Sequence, residues 1–359
     1  MSSVECGDQK KKEKAMRAAV FRGAFDIQVE QIPDATILEP TDAVVRITHA
    51  SICGTDLWPY RGQGAYQPGW QIGHEWMGLV EDIGSEVRSI KPGDRVIASY
   101  DFCDGICEFC QKGLDSACLQ GGLWGYGNEG GQAEAIRARF ADATLVVLPH
   151  SVEGDEALLK ALLPLTDNMA AGHHAAVTAE VRPGAVVVVI GDGAVGLCGI
   201  LAARRLGAER IIILGHQAQR LALARQFGVT DVVTSRGEET LPEVIEMTQG
   251  GADAVLECVG SEETINMAVN MTRPGGMVGF VGAPHGSGRI PLGHMFSSNI
   301  GLRGGLAPAR AYLPELLKDV LAGRLDPSPV LDLTVNLEAI SSGYAAMDQR
   351  QATKVMVRL

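Results

Sequence analysis

The pattern of hydrophobic and polar positions divides the chain into stretches of different texture. From Met16 to about Leu165, short β-like segments such as AVVRITHA (43–50) and DRVIASY (94–100) alternate with glycine and proline turns, which predicts an irregular all-β unit. From Thr166 to Gly304 the texture changes. Apolar runs AVVVVIG, RIIILG, ADAVLECVG and GGMVGFVG are separated by helix-like stretches, AVGLCGILAARRLG and QRLALARQFG among them. Continuous apolar strands alternating with helices predict a parallel, doubly wound α/β sheet, whose strands are covered on both faces. Residues 305–359 return to short mixed elements and end in TKVMVRL, read as a closing strand that rejoins the first unit. Residues 1–15, including KKKEK, read as a flexible extension, since the first β-like segment begins at Met16.

Composition narrows the picture. A length of 359 residues suits two domains, each with its own core. A net charge of −12 argues against nucleic acid or an anionic membrane surface as partner. No apolar run approaches the roughly 20 residues that span a bilayer. The N-terminal MSSVECGDQKKKEKAM has neither the apolar core of a secretory signal nor the acid-poor composition of a transit peptide. These features predict a cytoplasmic protein whose thiols stay reduced. Four of the eight cysteines lie between Cys103 and Cys118, and in such a compartment a cluster points to metal rather than disulfide.

The α/β stretch carries VVVVIGDGAVGLCG, in which Gly191, Gly193, Ala194, Val195 and Gly196 form G-x-G-x-x-G between a strand and a helix. There the turn lets backbone approach a pyrophosphate, and the free N–H groups of the helix N-terminus face that anion. The next strand ends at Gly215 and His216, where an NAD enzyme usually places the Asp or Glu that binds the ribose 2′-hydroxyl. Without that carboxylate a 2′-phosphate meets no repulsion, and His216 and Arg220 can donate to it. This favours NADP over NAD.

In the first unit ICGTD supplies Cys53, QIGHEWMG supplies His74 and Glu75, and LPLTDNMAAGHHA offers Asp167 at the boundary. A thiolate, an imidazole and a carboxylate with one position left open is how catalytic zinc sites are built. With these residues, with Gly73, His74, Glu75, Gly78, Gly84 and Val87 in G-H-E-x2-G-x5-G-x2-V, and with KPGDRV and the glycine fingerprint, the chain resembles the zinc-dependent medium-chain alcohol dehydrogenases from about Met16 to Leu359. The resemblance implies a GroES-like catalytic domain at 16–165, completed by 305–359, and a Rossmann dinucleotide-binding domain at 166–304. It places catalytic zinc on Cys53, His74 and Asp167, as a Lewis acid on the substrate oxygen. Glu75 becomes either a group just behind the ligands or an exchangeable ligand, Asp56 the group that orients His74, and Thr55 the acceptor of the alcohol proton. The family also implies a homodimer or homotetramer.

Two features depart from the family pattern. Many members carry His where this chain has Trp58, so Trp58 is read as a wall of the substrate pocket, with Trp124 as a second wall. The structural zinc spacing C-x2-C-x2-C-x7-C is matched by Cys107, Cys110 and Cys118, but its first position is Asp104, with Cys103 one residue early. The fourth ligand is then Cys103 in a bulged loop, or Asp104, or the lobe is empty; thiolate, the commoner structural ligand, favours Cys103. The expected activity is a zinc-dependent alcohol dehydrogenase or carbonyl reductase using NADP. An NAD-dependent polyol or amino-alcohol dehydrogenase of sorbitol or threonine type is the alternative. A non-catalytic cofactor-binding relative would need neither the zinc triad nor Thr55.

Overall fold

The computed structural model describes residues 15–64, 66–285 and 289–359, so all of the expected extension except Ala15 lies outside the described residues. Two sheets organise the chain. The parallel one has six strands in the order Asp231–Val233, Arg210–Leu214, Val186–Ile190, Ala252–Glu257, Thr272–Phe280 and Gly301–Gly304. That order puts the first strand, Val186–Ile190, beside the point where the winding reverses, and the glycine turn directly follows it.

The apolar runs of these strands are continuous because both faces are covered. Val187 and Val189 enter one core with Ile211 and Ile213, whereas Val188 and Ile190 enter another with Ile212 and Leu214. Successive side chains of a strand point to opposite faces, so both sets of positions in Val186–Ile190 are apolar.

The other large sheet is mixed and has seven strands. Ala43–Ile52 and Glu75–Ile83 pair antiparallel at its centre, and Val355–Arg358 pairs antiparallel with Ala43–Ile52 from the far end of the chain. The last residues therefore complete the sheet built on Ala43–Ile52.

The helix Asn168–Thr178 joins the sheets. It packs on the helix Ala194–Arg205 and on the strand Thr272–Phe280. The contact with the strand is close: a Cβ at Gly279 would fall 2.0 Å from the carbonyl oxygen of Ala175. Only glycine lets the backbone of the sheet touch the backbone of the helix there. Gly279→Ala is therefore expected to destabilise the protein by about 1–3 kcal/mol, the range for forcing extra volume into a packed interior. Urea unfolding should show a lower midpoint with an unchanged slope.

Candidate active site

Across the central strand pair Ser51 lies opposite Glu75. Cys53 follows the end of one strand and His74 precedes the start of the other, so the antiparallel register brings them together despite their separation in sequence. Asp167 joins them from the turn before the helix Asn168–Thr178. It stands at the N-cap position but makes no capping bond with its side chain. Instead its Oδ2 lies 3.1 Å from Cys53 Sγ and 3.4 Å from His74 Nε2. Ligand atoms around a tetrahedral zinc ion, at about 2.0–2.3 Å from it, sit about 3.3–3.7 Å from one another.

The surroundings orient these donors. Asp56 Oδ1 lies 3.3 Å from His74 Nδ1, and Asp56 also accepts from the Cys53 backbone N–H at 3.0 Å and the Tyr66 hydroxyl at 3.2 Å. With the Nδ1 proton directed at Asp56, Nε2 points at Cys53 and Asp167, where a metal ion would take the place of its proton. Burial, with the charge of Asp167 adding to it, pushes the Cys53 thiol up to about 11. Burial also penalises the Asp167 carboxylate, but hydrogen bonding and charge from His74 outweigh that and hold it down at about 2. A coordinating cation deprotonates such a thiol outright. The donor set and spacing fit a zinc ion with one position left for substrate.

Glu75 and a residue the sequence reasoning missed, Lys354, lie buried against this cluster. Lys354 Nζ is 2.7 Å from Glu75 Oε1 and donates to the carbonyl of Ile52 at 3.2 Å, while Ser51 Oγ donates to Glu75 Oε2. Burial opposes the charge on Lys354, yet Glu75, Cys53 and Asp167 together hold its pKa above the usual value. The only hint in the sequence is a lysine abutting the apolar run VMV in the closing strand. Pairing of Val355 with Ile52 is what carries it to Cys53.

The cluster opens into a cleft of about 800 Å³. Thr55 and Trp58 line it, with Tyr66, Leu123, Tyr126 and Leu306 as further walls. Trp58 also packs against His285, with ring centroids 4.6 Å apart and the rings tilted by 47°. Trp124 does not line the cleft, which corrects the expectation of a second aromatic wall. It is fully buried, its indole N–H donates to Ser99 at 2.9 Å, and it packs on Trp76 and Phe102 in the core of the β-rich domain.

The same cleft is lined by Gly193, Ala194 and Val195 of the glycine turn and by Arg220. Gly191 has φ +109°, and a Cβ at Gly196 would fall 1.9 Å from the Gly191 carbonyl oxygen, so the turn closes only with glycine at both places. Gly215 and His216 follow the next strand, but the space beside them is not free. Asp192, inside the fingerprint, accepts from the backbone N–H groups of His216 at 2.6 Å and Gln217 at 2.8 Å, and Arg220 lies 3.7 Å from its other oxygen. The premise that no carboxylate stands at this strand end is thereby corrected: one does, supplied by a different loop.

The cysteine lobe also differs from expectation. Asp104, Cys107, Cys110 and Cys118 bring ligand atoms within 4.8 Å of one another, and Cys103 is not among them. The backbone of Cys103 is pinned to Thr144, its side chain is buried near the carbonyl of Ala143, and burial pushes its thiol up to about 12. The extended chain after Phe102 turns that side chain inward and the next one into the lobe. Despite a burial penalty, the N–H groups of Cys107 and Ile106 hold the Asp104 carboxylate down at about 2.

Removing one partner of a buried ion pair leaves an uncompensated charge, so Lys354→Met is expected to destabilise the protein by about 3–5 kcal/mol. Adding Glu75→Gln to that variant should recover most of the loss, as chemical denaturation of the single and double variants would show.

Comparison with known proteins agrees with this architecture. Residues 39–150 match the family described as alcohol dehydrogenase GroES-like domain, and residues 194–322 match the zinc-binding dehydrogenase family. A zinc-type alcohol dehydrogenase-like protein of Bacillus subtilis is 31% identical over 96% of this chain and 100% of its own. The NADP-dependent isopropanol dehydrogenase of Clostridium beijerinckii is 34% identical over 81% of this chain and 84% of its own. The solved alcohol dehydrogenase of Thermus sp. ATN1 superposes with a TM-score of 0.90 at 32% identity, over 96% of this chain and 99% of that one. With its GroES-like and Rossmann units, this chain belongs to the zinc-dependent medium-chain alcohol dehydrogenase family.

Proposed function

We propose that this protein oxidises alcohols, and reduces the corresponding aldehydes or ketones, by hydride exchange with a nicotinamide dinucleotide. The observation that carries the proposal is the meeting of Cys53, His74 and Asp167 in a cleft that the glycine turn also lines. Cys53, His74 and Asp167 would hold a zinc ion, which when bound supplies Lewis acidity to the substrate oxygen.

The chain's own groups divide the remaining work. Asp56 fixes the tautomer and direction of His74. Lys354 neutralises Glu75 and so keeps a further negative charge off the cluster. Thr55, exposed in the cleft two residues after Cys53, offers a hydroxyl that can take the alcohol proton and pass it on. Trp58, Tyr66, Leu123, Tyr126 and Leu306 give the cleft apolar walls that exclude water and suit an alkyl or aryl substituent better than a chain of hydroxyls. For that reason we read the substrate as a simple apolar alcohol rather than a polyol. The preference for NADP no longer follows from the strand end, where Asp192 brings a negative charge.

In the cysteine lobe, Cys107, Cys110, Cys118 and Asp104 would hold a second, structural zinc. Elemental analysis of protein purified without chelator is expected to give about two zinc ions per chain, as one catalytic and one structural site require. Asp104→Ala and Cys107→Ser should each lower this to about one, and Cys103→Ser should leave it unchanged. Cys53→Ser should likewise lose one ion, together with turnover on a panel of aliphatic and aryl alcohols. Full turnover in Cys53→Ser would refute the assignment of the catalytic site.

A further inference from the structure

Asp192 occupies a position of the dinucleotide fingerprint that the motif leaves unspecified. Its carboxylate nevertheless fills the end of the strand Arg210–Leu214. Oδ2 accepts both backbone N–H groups there, from His216 at 2.6 Å and Gln217 at 2.8 Å. Among the described residues, Oδ1 faces only the guanidinium of Arg220, at 3.7 Å. That guanidinium is held in turn by the carbonyl of Ala352 at 3.4 Å. Gly215 is part of the same arrangement, since a Cβ there would fall 2.6 Å from Asp192 Cβ and 2.8 Å from Oδ2. Asp192 and Arg220 are both mostly buried, and Arg220 lines the cleft beside Ala194 and Val195.

Two backbone N–H groups at one oxygen and a guanidinium near the other make an anion pocket, and here the protein's own carboxylate sits in it. The consequence for a dinucleotide is electrostatic. A 2′-phosphate would need the same donors, would have to displace Asp192, and would meet its negative charge at close range. A 2′-hydroxyl needs only an acceptor, and Oδ1 has capacity to spare.

Given the proposed dehydrogenase reading, on which this inference rests, we propose that Asp192 is the residue that selects NAD over NADP, by holding the anion pocket closed to a 2′-phosphate. The selectivity arises from the glycine turn rather than from an acidic residue at the strand end. Removing the charge should then do more than weaken NAD binding. It should expose a ready-made phosphate site formed by the N–H groups of His216 and Gln217 and by Arg220.

The test is to measure dissociation constants of NAD and NADP by quenching of intrinsic fluorescence, with kcat/KM for each, in full-length metal-loaded enzyme and in three variants. Asp192→Asn keeps the shape and one acceptor, so the turn stays closed; Asp192→Ala removes the group altogether. Wild type is expected to prefer NAD. Both variants should shift the NADP-to-NAD preference by about tenfold or more, equivalent to ~1.4 kcal/mol. Adding Arg220→Gln to Asp192→Asn should abolish the gain. A wild type that prefers NADP, or a preference unchanged in both Asp192 variants while dinucleotides still bind, would overturn this inference and leave the dehydrogenase reading standing. Failure of the wild type to bind either dinucleotide would overturn both.

Discussion

The structure depends on keeping a group of ionisable side chains out of water without leaving any of them unpaired. Cys53, Asp56, His74, Glu75 and Lys354 are buried, and Asp167 nearly so. Each isolated charge would cost several kcal/mol, and the cost is offset only where partners lie within hydrogen-bonding distance. The partners form a closed set: Asp56 with His74, His74 with Asp167, Asp167 with Cys53, and Glu75 with Lys354 and Ser51. Much of the topology serves this set. The antiparallel register brings Cys53 to His74, the returning last strand delivers Lys354, and the helix start at Asn168 leaves its N-cap carboxylate to the cluster.

The same helix makes the cluster and the nucleotide side of the cleft mechanically one body. Its start carries Asp167, and its middle touches the strand Thr272–Phe280 through Gly279. Asp167 and the sheet that presents the glycine turn are therefore linked by backbone contact rather than by flexible side chains. Interiors packed in this way transmit displacement instead of absorbing it.

Two carboxylates change the details of the site, and both stand where a motif allows any residue or expects another. Asp104 takes the place of a thiolate in the cysteine lobe, and Asp192 takes the place of a strand-end acid in the nucleotide domain. In each case one oxygen is anchored by a pair of backbone N–H groups, from Ile106 and Cys107 or from His216 and Gln217. Backbone donors are present in every sequence and so leave no mark in one. Only the path of the chain aims two of them at the same side chain.

What the sequence by itself determined were the features written in local pattern: continuous apolar runs that call for a doubly wound sheet, the glycine turn, the texture of the β-rich domain, and the identity of Cys53, His74 and Asp167 as candidate ligands. These follow from strand and helix periodicity and from the chemistry of residue types, which act over a few positions. Tertiary structure alone decided that Lys354 neutralises Glu75, that Cys103 turns inward while Asp104 faces the three thiols, that Trp124 is core and not pocket wall, and that Asp192 reaches the end of a strand it does not belong to. Each of these depends on strand register or on which side of the backbone a residue emerges. A shift of one residue reverses that side, and it is fixed only when distant segments pack.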